Sequence, residues 1–361
     1  MWRASRIAFN RRAAALERPE LVKSLILKAP QLGGEKGVLS IAFEVEWLRL
    51  IEHHDAARLL RDYELVVASS WSPLDYASVL SLANLSADPV FVQVSNPRDL
   101  DPYGVCEPIA RTIPIMACDW IDPTFYRPRP HAEREIDILM VAGWSALKRH
   151  RLLFQALRRM SPRLRVVLVG QDADRTADDI WAEAKELGVS NRIEMVHRAV
   201  PAAVSELQCN ARASVVLTRQ EGSSLVTTES FFADAPVLML RDARIGARAY
   251  INRSTGLLTD AQQLDRDLSR LVERSGSYAP REWALAHVTA RQTTFRLNAI
   301  LRAHAGERHR PWTRDIVPMC RRPDPAYVRE RDLEDLEPAY EDLRERLGIT
   351  FRDYPAGLVA R

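Results

Sequence analysis

From Leu25 to about Leu258, short apolar β-rich runs alternate with longer stretches of helical spacing. Few architectures tolerate that alternation. A strand that must reach a parallel neighbour needs a crossover helix, so the pattern signals βαβ units. The spacing predicts strands over Ser24–Ala29, Val38–Phe43, Leu65–Ala68, Val90–Val94 and Ile113–Ala117, with helices over Glu46–Arg61 and Leu74–Leu85. A second series predicts strands Ile136–Ala142, Arg165–Gly170, Arg192–Val196, Ser214–Thr218 and Val237–Leu240. Helices Leu152–Met160, Asp178–Leu187, Ala202–Asn210 and Thr227–Ala233 separate them. Between the series, Asp122–Pro130 holds Pro123, Pro128 and Pro130, which stop helices and central strands, so it reads as a linker. After about residue 280 the pattern is helical. Glu334–Leu347 reads as a C-terminal helix packed on its own domain with a solvated face, or as a partner-binding helix.

A chain of 361 residues is long enough for more than one core. A net charge of +3 is too small to point to nucleic acid. Five of the 51 basic residues are lysine (Lys23, Lys28, Lys36, Lys148 and Lys185), so 46 are arginine and each lysine stands out. Cys106, Cys118, Cys209 and Cys320 show no CxxC spacing, which speaks against a zinc site or a disulfide framework and fits a reducing compartment. No run of 18 apolar residues occurs, so no transmembrane helix is expected. The first 18 residues carry Arg3, Arg6, Arg11, Arg12 and Arg18 and no acid before Glu17. They read as a basic helix, or as a targeting or membrane-surface segment.

The richest chemistry lies in Val215–Leu240, VVLTRQEGSSLVTTESFFADAPVLML. Glu221 follows an apolar run, then come Gly222, Ser223 and Ser224, and then Leu225–Ala233 reads as a helix. A strand, a small-residue turn and a helix start present free N–H groups at the positive end of a helix dipole, an arrangement that suits a phosphate or a sugar hydroxyl. Glu229 is expected two turns into the helix, where a carboxylate can accept both hydroxyls of a ribose. The bland alternative is one turn glutamate and one solvated helix glutamate.

Here the chain resembles the retaining GT-B glycosyltransferases, especially family 4. That family's donor signature is Glu-Gly-Phe-Gly, seven residues between two glutamates, then a small residue with Pro-Val, and later Thr-Gly-Leu-Leu. This chain has Glu221-Gly222, Glu229, Ala235-Pro236-Val237 and Thr255-Gly256-Leu257-Leu258. Ser223-Ser224 replaces Phe-Gly, and a serine where glycine is usual restricts the turn. Lys148, Leu152, Leu153, Ala156 and Leu157 match the family's Lys-Gly-x-x-Leu-Leu-x-x-Ala spacing after Gly143. The family's companion arginine is replaced by Trp144, with Arg149 or Arg151 as substitutes. Ile113–Pro128 resembles the interdomain segment, with Asp119 at the family's aspartate.

The resemblance implies an α/β GT-B fold, with two Rossmann-like domains facing across a cleft. Residues 1–127 would be the acceptor side, 128–135 a linker, 136–280 the donor domain, and 281–361 a helical tail packing back on the first domain. It implies transfer of a sugar from a UDP- or GDP-linked donor to a glycan, lipid-linked or small-molecule acceptor, with retention. Lys148 and Glu221 are the implied catalytic residues. Gly33, Gly34, Gly143, Lys148, Gly222, Ser223, Ser224, Leu225 and Glu229 are the implied nucleotide-sugar contacts, with no cofactor, no metal and no nucleic-acid partner. The implied setting is cytoplasmic, with peripheral contact at the inner membrane face through the basic N-terminus as one reading.

Where relatives often carry a histidine on the fourth strand, this chain offers Gln93, Ser95 and Asn96. His53 and His54 read as surface residues, and His197 as the end of a donor-domain strand. Asp172-Ala173-Asp174 mimics a manganese motif but runs into a helix start, where acids favour the dipole without metal. Two rival readings remain. One is a non-catalytic sugar-nucleotide-binding or scaffold protein of GT-B shape. The other is a GT-B epimerase, which needs acid/base carboxylates that the sequence does not single out.

Overall fold

The computed structural model describes residues 18–74, 76–101, 105–106, 109–322 and 324–352, so the arginine-rich start before Arg18 lies outside the described residues. The chain forms two units. One comprises the described residues up to Trp120 and from Ala290 onward, and the other is Ile121–Thr289.

In the first unit, β1 (Ser24–Lys28), β2 (Gly37–Ala42), β3 (Tyr63–Ala68), β4 (Val90–Gln93) and β5 (Ala110–Ile113) pair in that order. The strand β1 is antiparallel to β2, and the remaining pairs are parallel. Every residue of β1 to β4 is buried, which is what a sheet covered on both faces demands. The helices α1 (Glu44–His53), α2 (Ala56–Asp62) and α3 (Tyr76–Ala83) fill the crossovers. The single helix expected over Glu46–Arg61 is broken. His54 is extended, and Asp55 restarts the chain as an N-cap, accepting from the Arg58 amide at 2.9 Å. The strand expected over Ile113–Ala117 ends at Ile113, because Pro114 has no N–H to donate.

After α10 (Ala290–Glu307) come a short hairpin, β12 (Met319–Arg321) and β13 (Pro325–Tyr327), and then α11 (Glu330–Leu347). Leu297, Leu301, Tyr327, Leu336, Tyr340 and Leu343 share one core with the strands of this unit. At the amino ends of the strands, Asp88 binds Lys36 at 2.8 Å, Arg310 at 2.7 Å and Arg308 at 3.0 Å, beside the buried Glu64 and His304.

In the second unit the order is β11 (Gly256–Thr259), β10 (Val237–Leu240), β9 (Ala211–Val216), β6 (Ile136–Val141), β7 (Val166–Gly170) and β8 (Ile193–His197). All pairs are parallel. The chain starts at the centre with β6, builds outward through β7 and β8, then returns past β6 to place β9, β10 and β11 on the other side. The direction of building therefore reverses between β6 and β9, where α/β sheets open their binding crevice. Connecting helices are α4 (His150–Leu157), α5 (Ala177–Glu186), α6 (Pro201–Cys209) and α7 (Leu225–Phe232), and α8 (Leu264–Glu273) and α9 (Pro280–His287) follow. The segment read as a linker packs on this unit. Arg129 donates its amide to Cys209, and the Arg134 guanidinium donates to the carbonyls of Ala211 and Asp234.

Candidate nucleotide-sugar site

The crevice between β6 and β9 is lined by Met140–Ala142, Lys148, Val215–Thr218, Glu221, Ser224 and Val226. Two strand ends contribute its walls, and two βα turns contribute its polar groups. Lys148 closes a short turn after β6, whose start Ser145 caps by accepting from the Leu147 amide at 3.2 Å. Glu221 begins the turn after β9, and its amide donates to the Arg244 carbonyl. Lys148 Nζ donates to Glu221 Oε2 at 2.8 Å, so the lysine and glutamate singled out in sequence meet across 73 positions. Both side chains keep about a quarter of their surface exposed, a geometry that leaves them reachable by ligand.

The turn Gly222–Ser224 is pinned from behind. Gly246 and Ala247 donate their amides to the carbonyls of Gly222 and Ser223. Ser224 caps α7 at φ 64° and ψ 89°, in the left-handed region where an L-residue is strained. Its hydroxyl accepts from Thr227 Oγ1 at 3.2 Å. Among the described residues the amides of Ser224, Leu225 and Val226 meet no acceptor. These are the orphan donors of a helix start.

Glu229 is the fifth residue of α7, one turn in rather than the two expected. It accepts from Gln208 Nε2 at 3.2 Å. Gln208 is buried at the last turn of α6 and was not foreseen, because nothing in its own surroundings marks it. Gly143 stands at the carboxyl end of β6. An added Cβ there would meet only the Gln171 carbonyl, at 3.6 Å, so packing alone does not require glycine.

Gly33 and Gly34 belong to the first unit. They occupy the turn that joins antiparallel β1 to β2, with φ of 85° and 83°, at the amino end of β2. Their conformation serves the hairpin, and the carboxyl ends of the parallel strands lie at the opposite edge of that sheet.

Trp144 is fully buried and serves packing. A Cβ on Gly170 would come within 2.8 Å of its ring, so the indole lies directly on β7. Its Nε1 donates to His197 Nδ1 at 3.0 Å. An indole N–H only donates, so His197 carries its proton on Nε2, which faces Asp172 at 3.6 Å. His150, beside the Trp144 ring, is held neutral, its pKa pushed down to about 4 by burial and then by Arg175 and Lys148. Arg149 is bound to Asp242 at 3.2 and 3.3 Å, and Arg151 to Glu186 at 2.8 and 3.0 Å. Asp172 and Asp174 are also engaged. Asp172 binds Arg198 and the Ala177 amide, and Asp174 binds Ser145 and the Ala146 amide. Among the described residues no three histidine, cysteine or carboxylate side chains gather as metal ligands.

Residues 123–277 match the family model of the glycosyl transferases group 1. Two solved structures are similar over most of both chains. Sucrose-phosphate synthase (tll1590) from Thermosynechococcus elongatus has TM-score 0.58 and 16% identity, covering 75% of this chain and 74% of that one. Anabaena Alr3699/HepE in complex with UDP and glucose has TM-score 0.57 and 16% identity, with 73% and 78% covered.

The chain has the GT-B fold.

A third GT-B structure, the pneumococcal O-GlcNAc transferase GtfA in complex with UDP and GlcNAc, has TM-score 0.51 and 12% identity, covering 75% of this chain and 57% of that one. No curated protein sequence matches. No helix among the described residues is long and apolar enough to cross a membrane.

Proposed function

We propose that this chain transfers a sugar from a nucleotide diphosphate donor to an acceptor hydroxyl. The single observation that carries the reading is the Lys148–Glu221 pair beside the unpaired amides of Ser224–Val226, at the point where strand order reverses. A diphosphate seated there meets the helix-end donors and the lysine. Glu221, held by Lys148, takes sugar hydroxyls, and Glu229, held by Gln208, takes those of the ribose.

In the proposed step the bond from the anomeric carbon to the diphosphate oxygen breaks as the acceptor oxygen bonds to that carbon on the same face. The acceptor proton passes to the departing diphosphate. Lys148 and the amides stabilise charge that grows on that leaving group, so they act mainly in the transition state. Lys148 is half neutralised by Glu221, so a second cation helps. Arg219 stands beside it: its amide donates to the Leu147 carbonyl, and its exposed guanidinium has no acceptor among the described residues. The same logic needs no divalent ion.

Hydrolysis of UDP- and GDP-sugars, followed by anomer analysis of the released sugar, tests the reading. Release of the retained anomer, abolished in Lys148→Ala, is the expected result. Tight nucleotide binding with no hydrolysis or transfer would instead favour a non-catalytic binding protein, for which Trp144 in place of the arginine and the strained Ser224 already argue.

A further inference from the structure

We propose that the first unit carries an oxyanion-binding site built around Arg321, which takes a phosphate or carboxylate borne by the acceptor. The strand order there runs from β1 to β5 without reversal, so the sheet opens no crevice of its own. Three buried or half-buried groups nonetheless gather at its carboxyl edge. Phe43 follows the last residue of β2, and its amide donates to the carbonyl of Ala68, the last residue of β3. Gln93 is the last residue of β4. Arg321, on β12, donates its amide to the Trp120 carbonyl and lays its guanidinium carbon 5.8 Å from the centre of the Phe43 ring.

Arg321 is 3% exposed, and its Nε and Nη2 are buried with no acceptor among the described residues. Burial lowers its pKa to about 10, against a smaller opposing pull from Asp324, so it stays charged at neutral pH. A buried charge without a hydrogen-bonding partner is among the costliest features a fold can keep. A second donor is in the same condition. Trp120 Nε1 donates to Gln93 Oε1 at 2.7 Å, which turns Gln93 Nε2 away, buried and without an acceptor among the described residues. Both orphans are donors, and both residues are tied to Trp120, Arg321 through its backbone amide and Gln93 through its side-chain oxygen. Lys23 adds a third donor and a second positive charge, 4.9 Å from the Phe43 ring centre and bound to Asp324 at 2.9 Å. A planar guanidinium, an amide N–H and an ammonium suit a planar or tetrahedral oxyanion.

That the anion belongs to an acceptor rests on the transferase reading, whereas anion binding at Arg321 does not. The test uses the full chain. Inorganic phosphate, glucose 1-phosphate and glucuronate are titrated by thermal shift and calorimetry, with glucose and sodium chloride at matched ionic strength as controls. Stabilisation beyond the controls is expected in wild type and in Lys148→Ala. Affinity should fall at least tenfold in Arg321→Met. That variant should be no less heat-stable than wild type without ligand, because an apolar side chain of similar length replaces an unpaired charge. Should Arg321→Met fail to fold, Arg321→Lys keeps the charge and loses the planar fork, with an expected loss of at least fivefold. The tighter of glucose 1-phosphate and glucuronate identifies the anion. Binding lost in Lys148→Ala but kept in both Arg321 variants would assign the anion to the donor crevice and overturn the proposal. So would an absence of any anion effect in wild type.

Discussion

Replacing Ser224 separates strain from hydrogen bonding at the turn that opens α7. Its φ of 64° places a β-carbon where the left-handed conformation costs about 1–2 kcal/mol. Its hydroxyl returns part of that through the bond to Thr227, worth about 0.5–1.5 kcal/mol. Ser224→Ala loses the bond and keeps the strain, so it should be about 1 kcal/mol less stable than wild type. Ser224→Gly also loses the bond but removes the strain, against about 0.5–1 kcal/mol for the greater freedom of glycine in the unfolded chain. Glycine should therefore exceed alanine by about 0.5–1 kcal/mol and lie close to wild type. Urea midpoints of the two variants, followed by tryptophan fluorescence on the same chain, give the comparison without requiring a two-state model for both units. An alanine variant as stable as the glycine variant would refute the claim that this position is strained.

Lys148→Ala should lower kcat by at least tenfold while moving stability by no more than about 1 kcal/mol, since its ion pair is partly exposed. Assays of donor hydrolysis and melting on one preparation decide between a chemical and a structural role. Glu229→Ala should weaken nucleotide binding by about 1–3 kcal/mol in calorimetry, and an unchanged affinity would remove it from the site. Transferase or hydrolytic activity should survive excess EDTA. Loss restored by manganese, and reproduced in Asp174→Ala, would restore the acidic motif as a metal site. Burial pushes Glu64 up to about 7, so the folded state holds a proton that the unfolded state releases, and this group removes stability as pH rises from about 4.5 to 7. His304, lowered by burial, works in the opposite sense below its ordinary pKa. Glu64→Gln should therefore gain on wild type across that window, and urea midpoints that keep a constant difference from pH 5 to 7 would contradict it.

The second unit was largely legible in sequence because its signals are local. Apolar runs gave β6, β7 and β10, and a small-residue turn flanked by Glu221 and Glu229 gave the start of α7. Lys148 and Glu221 could be named separately, but their contact depends on strand order, which periodicity does not encode. The setting of Gly33 and Gly34 escapes local pattern for the same reason. A glycine pair after an apolar strand looks alike in a βα turn and in a hairpin, and only the antiparallel pairing of β1 with β2 distinguishes them. Gln208 and Arg321 matter through partners far away in the chain, or through lacking them, so no local pattern reveals either. Trp144 stood out as an exception to the family pattern, but its role as a packed lid on Gly170 needed coordinates.

The division of the chain also sets an order of events during synthesis. The second unit is one uninterrupted stretch, Ile121–Thr289, whereas the first draws on both ends of the chain. As the polypeptide emerges from the ribosome, β1 to β5 appear first but lack Leu297, Leu301, Tyr327, Leu336, Tyr340 and Leu343, which complete their core. The second unit can therefore finish folding while the first still exposes apolar strands. Such a nascent chain should depend on chaperones for the interval between translation of β5 and of α11. A ribosome stalled once Thr289 has cleared the exit tunnel, with α11 still untranslated, should display a protease-resistant second unit tethered to a protease-sensitive first one.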